Sequence, residues 1–239
     1  MINVSDIVRE ITVFCEKNAD PKLVEKYSRY FTEGYDAYGI DQKAMEAFRE
    51  ERFPEWTSAL AIKDVYALTG ELFRLGKYEF AGFGVWMLAR YKKEWDKSQL
   101  PLIREWLDQY IKNWAHCDVL CGEIVTEFIR GGAADYRDLA PWLVSDSRWT
   151  RRAVPVSLWK TITPVNVVEL LEFLRPLTRD AERVVGQGMG WFLREAWKRV
   201  PAPVEDYLLS IKDYALRIMI QYATEKMTKE QKERYRKAK

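Results

Sequence analysis

Apolar residues recur at helical spacing along most of the chain. One stripe, at intervals of three or four residues, is formed by Phe80, Gly84, Leu88, Tyr91 and Trp95. Two further apolar faces consist of Leu120, Ile124 and Phe128, and of Val167, Leu170, Leu171 and Leu174. Residues three and four apart share a helix face, and no convincing two-residue alternation interrupts the pattern. The sequence therefore predicts an all-α protein.

Helix-breaking residues divide these stripes at short intervals. Prolines fall at predicted helix starts or junctions, where a missing N–H does no harm: Pro21, Pro54, Pro101, Pro141, Pro164, Pro176, Pro201 and Pro203. Glycines predicted to end helices are Gly39, Gly76, Gly131 and Gly132. Start signals are Ser5-Asp6, Asp20-Pro21, Ser98 and Thr163-Pro164. These boundaries predict about a dozen helices of roughly 10 to 18 residues.

Short helices joined by short loops are typical of an α-solenoid of stacked helical pairs. Because the chain lacks tetratricopeptide and ankyrin patterns, degenerate HEAT-like repeats are the repeat type that remains. We predict one such domain over residues 1–239. A compact helical bundle is the alternative. The basic tail 229–239 is expected to be a solvated terminal helix or a frayed end.

Composition narrows the class of protein. The net charge of +2 is small, but residues 1–119 carry a net −3 and residues 120–239 a net +5, which is a mild indication of an anionic partner. The three cysteines are scattered, and we see neither a signal peptide nor an apolar run of the roughly 18 residues that a spanning helix needs. We expect a cytoplasmic monomer without a membrane segment.

The segment NWAHCD, residues 113–118, is the first candidate for a functional site. Trp114 and Asp118 are four residues apart, so they share a helix face or flank a helix start. Asp118 could instead be an N-cap, and Trp114 could be a core residue. His116 and Cys117 superficially suggest a metal, but too few further ligands lie nearby, and we expect none.

The segment SDSRWTRR, residues 145–152, is a candidate phosphate clamp. Arg148, Arg151 and Arg152 are spaced to share one helical face around Trp149. Such a cluster near a helix start suits phosphate binding. The alternative is a solvated basic face. Pro155 should kink this helix or shift its start.

The segment GQGMGWFLREAWKR, residues 186–199, contains three glycines in five positions. Gly186 and Gly190 are one turn apart and would open a helix face beside Trp191, with Arg194 and Lys198 following on that side. Close packing against another helix is the alternative. It accounts for the glycines but not for a tryptophan among them.

These segments, in this order and spacing, resemble the AlkD family of DNA alkylation-repair glycosylases. The matching residues are Trp114 with Asp118, Arg152 in SRWTRR, Trp191 in the glycine-rich segment, and Tyr30 in KYSRYF. The later YALRIMIQYATEKM resembles the last repeat of the family. The resemblance extends from about residue 22 to residue 227.

The resemblance implies a curved stack of HEAT-like helix pairs whose concave, basic face holds duplex DNA. It implies excision of N3- and N7-alkylated purines, typically 3-methyladenine and 7-methylguanine, without a cofactor. Asp118 would be the catalytic carboxylate, with Trp114 and Trp191 flanking the deoxyribose. Arg152 would hold phosphate, and Tyr30 would lie close to the modified nucleotide. We add four residues to the predicted DNA-binding set: Arg148, Arg151, Arg194 and Lys198.

The residue types suit this chemistry. An N3- or N7-alkylated purine is already cationic, so it leaves without a general acid, and one carboxylate near aromatic faces can stabilise the sugar cation and guide a water. No lysine is placed to suggest a lyase step.

Three features depart from the family: Gln187 stands where a lysine is expected, Pro155 is unexpected in the helix after Arg152, and His116 and Cys117 have no assigned role. Two alternatives remain, a non-catalytic HEAT-like protein that binds damaged or branched DNA and a protein-interaction solenoid.

Overall fold

The computed structural model describes residues 2–237. Within that range all regular secondary structure is helical and no strand is present. The described residues form fourteen α-helices, joined by short 3-10 segments and one π-helical segment. The prediction of an all-α protein is thereby confirmed.

The chain divides into two compact units, Met1–Ile124 and Val125–Lys239. The first contains α1 (Val4–Lys17), α2 (Pro21–Ser28), α3 (Gln42–Ala59), α4 (Ile62–Leu75), α5 (Tyr78–Leu88), α6 (Leu100–Gln109) and α7 (Trp114–Leu120). The second contains α8 (Thr126–Arg130), α9 (Arg148–Leu158), α10 (Val167–Phe173), α11 (Arg183–Arg199), α12 (Pro201–Ile211), α13 (Arg217–Ala223) and α14 (Lys229–Glu233). That the two make a single domain over residues 1–239 stays a prediction.

Helix α5 is the central helix of the first unit. It packs against α3, α4 and α7, and most of its side chains are buried, which is the pattern of a helix covered on nearly all sides. Its buried Glu79 accepts hydrogen bonds from the backbone N–H groups of Tyr38, Gly39 and Ile40. This carboxylate therefore anchors the end of the long loop between α2 and α3.

Helix α11 is central in the second unit, where it packs against α9, α12 and α13. A Cβ atom on Gly190 would lie 2.5 Å from Cβ of Tyr222 and 2.6 Å from the backbone oxygen of Met219. A Cβ atom on Gly186 would lie 3.1 Å from side-chain atoms of Leu216 and Ile218. The structure therefore confirms the alternative interpretation of these two glycines, which is close packing against another helix.

Several predicted helix boundaries are confirmed. Asp20 caps α2 by accepting a hydrogen bond from the backbone N–H of Lys22, and Pro21 is the first helical residue. Gly76 ends α4 with a φ of 77°, a conformation that favours glycine.

Other predicted boundaries are wrong. Pro54 lies inside α3. Because proline has no N–H, the backbone carbonyl one turn earlier loses its helical hydrogen bond, and the exposed position of Pro54 leaves that carbonyl close to solvent. Helix α1 starts at Val4 and is capped by Asn3 rather than by Ser5 or Asp6. Pro155 lies inside α9, as predicted, but because α9 already begins at Arg148 the proline does not shift the helix start. That it kinks the helix stays a prediction.

The basic tail begins as a short helix, α14, with Thr228 as its N-cap. After it, the ring of Tyr235 is buried, and Arg234 forms an ion pair with Glu205 of α12. Residues 238–239 of the predicted tail lie outside the described residues. Among the residues that the structure describes, no helix combines the length and the apolar character needed to cross a membrane.

Candidate functional site

Trp114 and Asp118 lie one turn apart on α7, as predicted. The helix is capped by Asn113, whose side-chain oxygen accepts a hydrogen bond of 2.9 Å from the backbone N–H of His116. Asp118 is therefore a half-buried helical residue rather than an N-cap. Trp114 is 38% exposed, so it is not a core residue either.

The indole of Trp114 is held from two directions. Its Nε1 donates a hydrogen bond of 3.1 Å to the backbone oxygen of Tyr30. Its ring stacks on Phe31, with the centroids 5.3 Å apart and an interplanar angle of 9°. The structure thus brings together Trp114 and Tyr30, two residues that the sequence analysis connected through the family resemblance. The side chain of Tyr30 is itself exposed, and its hydroxyl accepts a hydrogen bond of 3.0 Å from Arg29.

His116, to which the sequence analysis gave no role, is buried beneath this face. Its Nε2 lies 3.2 Å from the backbone oxygen of Tyr78, and its Nδ1 lies 3.3 Å from the side-chain nitrogen of Asn113. Burial lowers the pKa of His116 to about 4, and the Tyr78 carbonyl opposes this shift only in part. The imidazole is therefore neutral near pH 7, with Nε2–H donating to Tyr78 and Nδ1 accepting from Asn113.

No cluster of three or more histidine, cysteine, aspartate or glutamate side chains suited to a metal occurs within residues 2–237. Cys117, the neighbour of His116 in the sequence, is buried.

The three arginines of α9 differ in environment. The side chain of Arg148 is 42% exposed, lies over the ring of Trp149, and approaches Glu182 at 3.6 Å. Arg151 forms an ion pair of 2.5 Å with the nearly buried Asp180 and also donates to backbone oxygens. Arg152 is buried and donates a hydrogen bond of 2.7 Å to the backbone oxygen of Val184. They therefore do not form one uniformly exposed basic face.

Trp191 on α11 is half-buried and pairs with Trp159, their ring centroids being 5.5 Å apart. No local pattern in the sequence points to Trp159, because it lies 32 residues from Trp191. The pair gives this part of the second unit a two-ring aromatic surface.

The two cations that follow Trp191 are both paired with carboxylates. Arg194 contacts Glu195 and Glu225, and Lys198 contacts Glu195 at 2.6 Å. Lys198 is the more exposed of the two cations. Gln187, at the position where a lysine was expected, donates a hydrogen bond of 3.0 Å to the hydroxyl of Tyr222.

A cavity of about 390 Å³ opens beside Trp114 in the first unit and was not predicted from the sequence. It is lined by Leu23, Tyr27, Tyr30, Phe31, Tyr35, Gly39, Ile40, Asp41, Gln42, Met45, Tyr78, Glu79 and Trp114. A local signal existed, since four of the six aromatic residues lie within positions 27–35. Their joining with Tyr78 and Trp114 depends on long-range packing that no local pattern shows.

Comparison with known proteins gives one consistent result. The sequence profile of a family described as "DNA alkylation repair enzyme" matches residues 15–227. A solved structure described as a predicted DNA alkylation repair enzyme from Enterococcus faecalis is similar with a TM-score of 0.73 and 12% identity, over 89% of this chain and 98% of that one. At this identity the likeness is one of fold. Comparison with curated proteins found no match.

Proposed function

The chain belongs to the family of DNA alkylation repair enzymes, and we propose that it is a monofunctional DNA N-glycosylase that excises cationic N3- and N7-alkylated purines from duplex DNA. Family membership confirms the resemblance found in the sequence and gives the protein a role in DNA alkylation repair. The proposed substrates are lesions such as 3-methyladenine and 7-methylguanine, and the proposed setting is a cytoplasmic monomer that needs no cofactor.

The observation that carries the proposal is the arrangement on α7. A partly exposed indole is fixed by the Tyr30 oxygen and the Phe31 ring, and Asp118 follows one turn later. An alkylated purine carries a positive charge, so it leaves with the electron pair of the glycosidic bond and needs no proton from the protein. The sugar carbon then becomes cationic. A carboxylate and the electron-rich face of an indole are groups that stabilise such a cation.

In this proposal Asp118 stabilises the sugar cation and takes a proton from the attacking water, while Trp114 lies against the deoxyribose. For Trp191 such a contact stays a prediction of the family resemblance. The water oxygen bonds to the sugar carbon, and the alkylated base leaves as a neutral molecule. His116 is buried and neutral near pH 7, so it is unsuited to the role of general acid.

We assign phosphate contacts to three of the predicted basic residues on α9 and α11, namely Arg148, Arg152 and Lys198. Arg148 and Lys198 have the exposed side chains that such contacts need. Arg152 donates a hydrogen bond from one guanidinium nitrogen to the backbone oxygen of Val184, and this bond orients the guanidinium. Arg151 and Arg194 stay in the predicted DNA-binding set, but carboxylates engage both of them, so we assign them no phosphate contact. Tyr30 contacts the modified nucleotide.

The test is release of methylated purine from alkylated duplex DNA by the wild-type protein and by Asp118→Asn. This substitution removes the charge and keeps the shape, so excision should fall at least about tenfold while binding to duplex DNA is kept. Asp206→Asn is the matched control, because Asp206 is an exposed carboxylate on another helix, α12. It should excise like the wild type.

A wild-type protein that binds duplex DNA and releases no methylated base would contradict the glycosylase proposal. That result would favour a non-catalytic protein that binds damaged or branched DNA. Equal loss of excision in Asp118→Asn and Asp206→Asn would instead remove Asp118 from the mechanism.

A further inference from the structure

The loop between α2 and α3, residues 29–41, carries the contacts that orient Trp114. The backbone oxygen of Tyr30 accepts the indole hydrogen bond, and the ring of Phe31 stacks on the indole. The loop consists of turns and irregular backbone. Such a segment has no hydrogen-bond ladder of its own, so the positions of Tyr30 and Phe31 depend on contacts from outside the loop.

The carboxylate of Glu79, on the first turn of α5, is bound by the far end of this loop. It accepts hydrogen bonds of 3.0, 2.8 and 3.4 Å from the backbone N–H groups of residues 38–40. Glu79 is only 2% exposed. Burying a carboxylate is unfavourable unless donors satisfy it, and here the backbone of the loop supplies them. Carboxylate and loop therefore hold each other in place.

Gly39 makes this close approach possible. Its φ of 79° lies in the left-handed region, where residues with a Cβ atom are strained. A Cβ atom at this position would overlap the backbone oxygen of Asp20 and lie 2.9 Å from Cγ2 of Val24. The backbone N–H of Asp20 donates a hydrogen bond of 3.0 Å to the oxygen of Tyr38. Asp20, Gly39 and Glu79 thus form a clamp that holds the end of the loop between the starts of α2 and α5.

The start of α5 also reaches the ring that supports the indole. The backbone N–H of Tyr78 donates a hydrogen bond of 2.8 Å to the oxygen of Asp36, and Lys77 forms an ion pair with the Asp36 carboxylate. The ring of Tyr78 meets Phe31 edge-on, with the centroids 5.6 Å apart. The loop is therefore attached to the start of α5 at Phe31, at Asp36 and at residues 38–40.

We propose that Glu79 is a positioning residue for Trp114 and acts through the loop of residues 29–41. Release of residues 38–40 would loosen the loop, so that the Tyr30 oxygen and the Phe31 ring would no longer fix the indole. Because Glu79 is buried, it cannot contact DNA itself, and its loss should slow excision without weakening duplex binding. The effect on excision rests on the proposed function, whereas the effect on the indole does not.

Glu79→Gln tests the clamp from the side of α5. It keeps the size of the side chain and replaces one acceptor oxygen by an NH2 group, which cannot accept a hydrogen bond from a backbone N–H. Thr69→Val is the control. It also removes a buried polar group of the first unit, but the Thr69 hydroxyl bonds to the backbone oxygens of Val65 in α4 and Gly84 in α5 rather than to the loop.

Gly39→Ala disturbs the clamp from the side of α2 and leaves Glu79 intact. Its control is Gly76→Ala, because the φ of Gly76 is 77° and, among the described residues, nothing beyond its chain neighbours lies within 4 Å of the added methyl group. Both alanines are strained in the same way, and only the one at position 39 displaces the loop from Asp20. We call Glu79→Gln and Gly39→Ala the loop variants.

The indole N–H signals of the full chain report the outcome by NMR. The Trp114 signal is the one that is missing from the spectrum of Trp114→Phe. In both loop variants it should shift and exchange with solvent at least about tenfold faster, because the Tyr30 oxygen no longer holds the N–H. The signal of Trp197, whose N–H bonds to Glu205, should stay unchanged and serves as an internal reference. The two controls should leave both signals as in the wild type.

Single-turnover excision measures the consequence for the proposed reaction. At saturating duplex, both loop variants should release methylated purine about tenfold more slowly than the wild type. Their Kd for the duplex should change by less than about twofold, and the controls should excise like the wild type. Comparison with the controls separates positioning from destabilisation, since a merely structural loss would affect loop variants and controls alike.

A Trp114 signal that stays unchanged in the loop variants, or that changes equally in their controls, would overturn the proposal. If one loop variant does not fold, the other carries the test, because the two act on opposite sides of the clamp. The NMR measurement needs neither DNA nor activity. A wild type that excises nothing would therefore contradict the glycosylase proposal alone, and excision with an unchanged Trp114 signal in the loop variants would contradict the positioning proposal alone.

Discussion

The Nε1 atom of Trp114 donates a hydrogen bond to the backbone oxygen of Tyr30, 84 positions earlier in the chain. This bond links the start of α7 to the segment that follows α2. Because the indole also stacks on Phe31, its plane is fixed by a directional bond and by a ring contact together. The exposed part of the ring is therefore held in one orientation, one helical turn before Asp118.

Substitution of Trp114 by phenylalanine should separate orientation from aromatic character. Phenylalanine keeps an aromatic face on Phe31 but lacks the N–H, so the Tyr30 oxygen loses its partner and the ring can rotate. We expect excision to fall about tenfold and the free energy of unfolding to fall by about 1 kcal/mol. Single-turnover excision and urea unfolding measure the two effects.

Trp197→Phe is the control for this experiment. The indole of Trp197 donates a hydrogen bond of the same length, 3.1 Å, to the carboxylate of Glu205. Its loss should cost a similar free energy of unfolding, about 1 kcal/mol, and leave excision unchanged. If both variants lost excision equally, stability and not the orientation of Trp114 would explain the effect.

Much of the fold follows from local pattern. The stripe from Phe80 to Trp95 and the face around Leu170 are buried as predicted, since helical spacing alone decides which side chains share a face. Capping at Asp20 and the glycine stop at Gly76 are equally local, and both are confirmed. The helix boundary predicted at Pro54 is wrong, because an exposed proline within a long helix is tolerated when packing holds the helix on both sides of it.

The candidate site was less accessible to sequence reasoning. That Trp114 and Asp118 share a helix face follows from their spacing, but the Tyr30 and Phe31 contacts of the indole depend on tertiary packing. Spacing also suggested equivalent roles for Arg148 and Arg151, whereas the nearby Asp180 engages one of them. The partner of a long side chain is set by elements distant in sequence, and local periodicity carries no information about them.

Gly190→Ala should strongly destabilise the protein. The added methyl group would lie 2.5 Å from Cβ of Tyr222 and 2.6 Å from the backbone oxygen of Met219, so α11 and α13 would have to move apart. We expect a loss of about 3 kcal/mol in the free energy of unfolding. Gly82→Ala is the control, because its methyl group would meet Trp86 at an ordinary 3.5 Å. It should be neutral or stabilising by up to about 1 kcal/mol, and a similar loss in both would contradict this account.

Salt dependence should distinguish Arg148 from Arg151 in duplex binding. Each phosphate contact contributes about one unit to the slope of log affinity against log salt concentration. Arg148→Met should reduce that slope by about one unit, because its guanidinium is exposed and its ion pair with Glu182 is long. Arg151→Met should leave the slope unchanged, since Asp180 and two backbone oxygens already occupy the group. A reduced slope in Arg151→Met would mean that this ion pair opens on DNA.

The single histidine of the chain gives a pH dependence that can be isolated. Burial lowers the pKa of His116 from its ordinary value of 6.5 to about 4. Below about pH 6.5 the unfolded chain therefore takes up a proton that the folded chain does not. The stability contributed by the neutral imidazole is fully present above that pH and is lost as the pH falls towards 4.

Between pH 7 and pH 5 the free energy of unfolding of the wild type should fall, with a slope that approaches about 1.4 kcal/mol per pH unit. His116→Gln removes the titrating group and keeps an amide that can donate to the Tyr78 oxygen, so its stability should be nearly constant over the same range. Urea unfolding at half-unit pH steps measures both proteins, and their difference isolates the histidine from the carboxylates that titrate below pH 5. Parallel curves for the two proteins would show that His116 is solvated in the folded state.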